Sequence, residues 1–160
     1  MPRRPLYSRL KTAAARFGER GECAAARLLE SLGMMVICRN YEAPGGEEID
    51  LVALDGEVLC FVEVKARRPR TRHRPADAVT VSKRYRLVRA ARHYLRQLQN
   101  PPIAYRFDLV EVVQTRWRVV ELRHWPEEFT SDEVARQVRG RDANRVWSGE
   151  PEKADDDWLD

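Results

Sequence analysis

The dipeptide Asp55-Gly56 stands between two apolar runs, Glu48 to Leu54 and Glu57 to Lys65, and it constrains the fold of this chain more than any other feature. Glycine takes left-handed backbone angles freely, so an Asp-Gly pair between β-patterned runs predicts a two-residue hairpin turn with antiparallel strands on either side. A hairpin makes its two strands neighbours. The polar residues they carry then meet, or avoid one another, according to the alternation of side chains along each strand.

Both strands carry charge where apolar residues dominate. In FVEVKAR, Glu63 and Lys65 share one face while Val62 and Val64 point the other way. In EEIDLVAL, Asp50 opens the preceding run, where the hairpin brings it beside Glu63. Two carboxylates about 4 Å apart repel by about 4 kcal/mol at an effective dielectric of about 20, and charge buried among Val, Phe and Cys needs compensation. A divalent cation supplies it. Magnesium, or manganese in its place, accepts a site with few carboxylates and completes its octahedron with water and substrate phosphate. Asp50 and Glu63 would hold the ion, which acidifies bound water and stabilises charge developing on phosphorus. Lys65 would orient the attacking water or offset that charge. This is a layout for phosphodiester hydrolysis. A Glu-x-Lys pair is also ordinary on the wet face of an edge strand. The nearby Asp50 and the apolar context favour chemistry.

The rest of the chain frames the hairpin. Phe17, Ala24, Ala25, Leu28, Leu29 and Leu32 recur at helical spacing from Thr12 to Leu32, and Gly33 ends the helix. Met34 to Cys38 reads as a short strand and Arg39 to Gly46 as a loop. Thr80 to Leu98 is a second helix, capped by Thr80 or Ser82, with Val81, Tyr85, Val88, Ala91, Leu95 and Leu98 as its buried stripe. Tyr105 to Val113 and Trp117 to Leu122 are strands, and Thr130 to Gly140 a short surface helix. The order predicts an α/β sandwich: a central mixed sheet flanked by helices. Residues 1–11 read as a basic arm, 12–125 as the domain, and 126–160 as an extension whose acidic end is disordered.

Charge is segregated along the chain. From Lys65 to Arg96 twelve basic residues face a single acid, Asp77, whereas six acids crowd Glu150 to Asp160. The basic stretch, with Arg67, Arg68, Lys83 and Arg84, is the footprint expected of a polyanion-binding face, and equally of a solvated helix and loop. Cys23, Cys38 and Cys60 form no Cys-x-x-Cys pair, and His73, His93 and His124 are scattered, so neither a disulfide scaffold nor a zinc site is expected. No run is long enough to span a membrane and no apolar signal segment follows the basic start, so a cytoplasmic protein is expected.

These motifs together resemble the YraN family of bacterial proteins, which in turn is similar to PD-(D/E)xK nucleases and archaeal Holliday junction resolvases. The resemblance runs over roughly residues 13–125. It is carried by Gly21, Glu22, Ala25, Leu28, Leu29 and Gly33, by Asn40 before Gly45 and Gly46, by Glu48 to Leu51, by Phe61 to Lys65, by Lys83, and by Arg106, Phe107 and Asp108. Glu47 stands where the family has glycine. The resemblance implies a restriction-endonuclease-like fold, a metal-dependent endonuclease acting on branched or junction DNA, and a homodimer. It also implies a third metal-site carboxylate, Glu22, on the first helix. On the residues alone, Glu22 is also an ordinary solvated helix glutamate, and Glu19 one turn earlier is the alternative. Gly21 beside Glu22 would let the sheet approach closely. Arg106 and Asp108, two apart on one strand face, are expected to pair structurally, and Tyr85 and Tyr94 to pack rather than stack on bases. A nucleic-acid-binding or scaffold protein on the same fold, without turnover, is the alternative function.

Overall fold

The computed structural model describes residues 12–69 and 79–146. The basic arm, most of the loop with Arg70, Arg72 and Arg74, and the acidic end fall outside the described residues. The elements run α1 (Ala13–Ser31), β1 (Met35–Glu42), β2 (Glu48–Asp55), β3 (Val58–Arg67), α2 (Val81–Gln97), β4 (Ala104–Gln114), β5 (Val119–Phe129) and α3 (Ser131–Val146). One sheet holds the strands in the order β1-β2-β3-β4-β5. Every neighbouring pair is antiparallel except β3 and β4, which are parallel and joined through α2. The chain therefore has the expected architecture, a mixed sheet between helices consistent with a restriction-endonuclease-like sandwich. Among the described residues, no helix is long and apolar enough to cross a membrane.

Each face of the sheet has its own core. On one, Ala25, Ala26 and Leu29 of α1 cover Leu51, Ala53, Cys60, Val62, Val110 and Val112. On the other, Leu87, Val88, Ala90 and Ala91 of α2 and Val134 of α3 cover Val52, Leu59, Phe61, Phe107 and Phe129. Phe107 and Phe129 stack at 4.9 Å between centroids. Thr12 and Thr80 cap α1 and α2, their hydroxyls accepting from Ala15 N–H and Lys83 N–H. The close approach expected at Gly21 is present: a Cβ there would lie 2.8 Å from Ala66 Cβ.

Five expectations are corrected. The hairpin turn is Gly56-Glu57, with Asp55 paired to Val58, and not Asp55-Gly56. Gly56, at φ +58°, takes the first central position, where a type II′ turn needs glycine. β1 continues through the segment read as loop, because Asn40 adopts φ +51° inside the strand, a region asparagine tolerates. β5 runs on past Pro126 to Phe129, which suits an edge strand, where a missing N–H is not missed. The buried helix faces are shifted: Leu32 and Leu98 are exposed, while Ala26 on α1 and Leu87 and Ala90 on α2 are buried. Packing also continues beyond residue 125, since Phe129 and Val134 are buried in the α2-side core and α3 extends the short helix expected there.

Candidate active site

The turn sets the register, and the register sets the site. With Gly56-Glu57 as the loop, the β2–β3 pairs run from Asp55–Val58 to Leu51–Val62. One more step in the same register sets Asp50 across from Glu63. An Asp55-Gly56 turn would instead have set Asp50 across from Phe61, because moving the turn by one residue moves every partner by two.

The β2–β3 ladder ends at Leu51 and Val62. Arg39 pairs with Leu51 and Tyr41 with Ile49, so Asn40 lies across β1–β2 from Asp50. Its left-handed backbone breaks the alternation in both strands. Cys38 and Tyr41, three residues apart, face the same core, and so do Ile49 and Val52. The Val64 N–H, no longer paired to β2, donates to Asp50 Oδ2 at 2.7 Å.

Glu63 is 3% exposed. Lys65 Nζ stands 3.0 Å from its Oε1, and Lys83 Nζ, from the first turn of α2, 3.3 Å from its Oε2. Oε2 is buried and receives no hydrogen bond. Burial pushes the Asp50 carboxyl up to about 7, and the Glu63 charge pushes the same way. The Val64 N–H and Lys83 oppose the shift, and Glu22 adds to it. Glu22 stands on α1 beside Gly21, which packs against Ala66, and its charge acts on Asp50.

These side chains fit a hard divalent cation. Asp50 and Glu63 offer oxygen donors, their charges and that of Glu22 are held together against repulsion, and one buried Glu63 oxygen lacks a hydrogen bond. Among the described residues, no group of three or more Asp, Glu, His or Cys side chains stands ready to hold an ion alone. The donor set is that of a site completed by water and phosphate.

The other candidates separate. Arg67 points along the same face as Glu63 and Lys65, and Arg68 is exposed at the end of β3. Arg84 lies 5.2 Å from the Phe129 ring centroid and 3.8 Å from Glu128, so packing against β5 accounts for its position. Arg106 and Asp108 pair, as expected: Arg106 Nε lies 2.9 Å from Asp108 Oδ1, and Arg106 also reaches Asp55 at 2.8 Å. Tyr94 packs edge-on against Phe61, in the core.

Sequence reasoning missed Glu111. It is 1% exposed, lies in register with Lys65 on the neighbouring strand, and pairs with Arg67 and, at 3.8 Å, with Arg123. The signal was present in RFDLVEV: Glu111 alternates with Phe107 and Leu109, the set facing α2, whereas Asp108 has the opposite parity. Glu47, noted in the sequence only as a departure from the family's glycine, is buried against Arg89 of α2 at 3.2 Å and ties the loop entering β2 to the helix that carries Lys83.

Comparison with known proteins places the chain among relatives that share this site region. A profile described as "Uncharacterised protein family UPF0102" matches residues 21–112, more than half of the chain. A UPF0102 protein of Symbiobacterium thermophilum is 52% identical over 97 residues, 61% of this chain and 81% of the relative. One from Chlorobaculum tepidum is 45% identical over 96 residues, covering 60% and 74%. One from Nitratidesulfovibrio vulgaris is 41% identical over 117 residues, covering 73% and 86%.

Proposed function

The chain belongs to UPF0102, the YraN family, and from the chemistry of its charged pocket we propose that it is a metal-dependent endonuclease that hydrolyses phosphodiester bonds in DNA, with branched or junction DNA as the substrate. One observation carries this reading: Asp50 and the buried Glu63 meet where the β2–β3 ladder ends, beside two lysines, with one Glu63 oxygen lacking a hydrogen bond. A fold seldom holds like charges together at such expense without a use for them.

Asp50 and Glu63, with Glu22 through water, would hold magnesium or manganese, which supplies an acidified water and charge stabilisation at phosphorus. The chain's own groups do the remainder. Lys65, held by Glu63 Oε1 with a third of its side chain exposed, presents an ammonium to the attacking water and the phosphate oxygen. Lys83 approaches from α2 and neutralises an adjoining phosphate. Glu111 holds Arg67 against the same face, where it meets the strand backbone. Asp50 must be ionised to bind the ion, so metal binding, and with it cleavage at metal below saturation, strengthens as pH rises toward about 7. The same reading carries DNA as partner, a cytoplasmic setting and, from the family resemblance, a homodimer.

The test is cleavage of plasmid, flap and four-way-junction DNA with magnesium, manganese or EDTA. Cleavage should need metal and fall at least about a thousandfold in Asp50→Ala and Glu63→Ala. Cleavage that persists in both variants belongs to a contaminant and defeats the proposal.

A second reading has its own observation. Lys65 and Lys83 already neutralise both Glu63 oxygens, so the pocket can stand without an ion and serve a nucleic-acid-binding protein that performs no turnover. Metal-free binding, weakening with log salt at a slope near 0.9 per neutralised phosphate, together with no cleavage under any metal, would select it.

A further inference from the structure

The tip of the β4–β5 hairpin, Thr115-Arg116-Trp117-Arg118, presents the most exposed large apolar side chain among the described residues, Trp117 at 82%. A single exposed aromatic needs little explanation when its loop is loose. This tip is held. Arg20 of α1 donates to Gln114 Oε1 at 3.1 Å, to the Thr115 carbonyl at 2.9 Å and to the Arg116 carbonyl. The buried Gln114 returns a bond to the Phe17 carbonyl at 2.7 Å. Thr115 Oγ1 accepts from the N–H groups of Trp117 and Arg118, closing the turn. The indole is thus offered to solvent from a rigid base, with its ordering largely complete before any ligand arrives.

The surroundings select the ligand. Arg116 lies 5.0 Å from the Trp117 ring centroid, and Arg118 is exposed beside it. An aromatic plane with one guanidinium over it and a second arginine next in the chain suits a nucleobase with its flanking phosphates. Position agrees. β4 runs parallel to β3, so the direction from Glu63 through Lys65 to Arg67 leads toward the tip. Leu109, paired with Glu63, and Gln114, which leads into the tip, are roughly 17 Å apart along the strand at about 3.3 Å per residue, within the reach of a few nucleotides of one strand. Trp117 also lies beyond residues 21–112, so the family match does not account for it.

We propose that Trp117, flanked by Arg116 and Arg118, is a stacking site for an unpaired nucleobase a few nucleotides from the phosphodiester held at Asp50 and Glu63. This deepens the nuclease reading and rests on it for the second half of that statement. It specifies the substrate as DNA with a single-stranded segment beside the reacting bond, since a base within a duplex has no free face to offer.

The experiment measures fluorescence anisotropy in EDTA at about 50 mM salt, using a labelled duplex with a single-stranded flap and a blunt duplex of equal length. Wild type should prefer the flap. Trp117→Ala should weaken flap binding about tenfold and blunt-duplex binding by less than about twofold, while Trp117→Phe keeps most of the preference. Unaltered unfolding midpoints, expected at so exposed a position, exclude misfolding. Equal losses on both substrates, no loss, or no nucleic-acid binding by wild type would overturn the stacking site. So would a loss of self-association by sedimentation in Trp117→Ala, which would make the tip a contact between copies. The two readings fail separately. Cleavage with Trp117→Ala behaving as wild type leaves the hydrolytic site and removes the stacking site. Flap preference lost in the variant, with no cleavage by wild type, does the reverse.

Discussion

Asp50 and Asp108 are aspartates of one sheet, on opposite faces, and desolvation is the largest influence on both. Each accepts a strand N–H at a break in its ladder: Val64, past the last β2–β3 pair, for Asp50, and Glu127, at φ +56° beside the β4–β5 register shift, for Asp108. There the likeness ends. Asp108 is wholly buried yet receives Arg106 twice over and His124 at 2.9 Å, and these bonds hold its carboxyl below the ordinary range despite burial. Asp50 has Glu63 and Glu22 for neighbours, with Lys83 the cation that offsets them, and its carboxyl is pushed up. Asp108, the more deeply buried of the two, has the lowered pKa, so neighbours, and not depth, decide the charge of a desolvated carboxylate. Asp108 is enclosed by its hydrogen-bond donors, whereas Asp50 stands among like charges.

The largest expected effect is at the satisfied site. Asp108→Ala removes the carboxylate shared by Arg106, His124 and the Glu127 N–H, leaving Arg106 to Asp55, and should lower unfolding free energy by about 3–5 kcal/mol in urea titrations. A loss under about 1 kcal/mol would erase the distinction between the two aspartates. The pH dependence sharpens it. Asp108 has a folded pKa below its ordinary 3.8, so its contribution is present above that value and disappears as pH falls through the folded one. The difference between wild type and Asp108→Asn should therefore shrink on acidification.

Asp50 should behave in the opposite sense. Its folded pKa lies above 3.8, at about 7, so the folded chain binds more protons than the unfolded one between these values. Ionising Asp50 weakens the fold as pH rises through that window, after which the loss is constant. Asp50→Asn should accordingly be more stable than wild type by about 1–2 kcal/mol at pH 8 without metal, and no more stable at pH 3.5. Denaturant midpoints at the two pH values check this.

Magnesium or manganese at about ten times its dissociation constant should stabilise wild type by about 1.4 kcal/mol. Asp50→Asn should gain little. The smallest effect is at Lys83. Lys83→Met removes a charge that lowers the Asp50 pKa, so the rise of cleavage with pH should move to higher pH. An unchanged profile would mean that Asp50 does not govern it.

Much of this was legible in the chain. The E-x-K spacing put Glu63 and Lys65 on one face, and Gly21 announced the close approach of α1 to β3. The pairing of Arg106 with Asp108 followed from their spacing on one strand face. Glu111 escaped notice because its significance lies across a parallel pair, opposite Lys65, and a parallel register depends on a crossover through α2 rather than on any local turn. The Trp117 tip was equally silent, since Arg20, which pins it, is 94 residues from Gln114 in sequence.

By itself, then, the sequence determined the order of elements, the parity of side chains on each strand and the types of charge brought to the hairpin, because these depend on neighbours within a few residues. Tertiary structure decided which charges face each other. A turn displaced by one residue, a left-handed asparagine on the adjoining strand and a helix packed across the sheet set Asp50 against Glu63 under Lys83. Such register is chosen by the packing of whole faces, where one slip would move every partner at once.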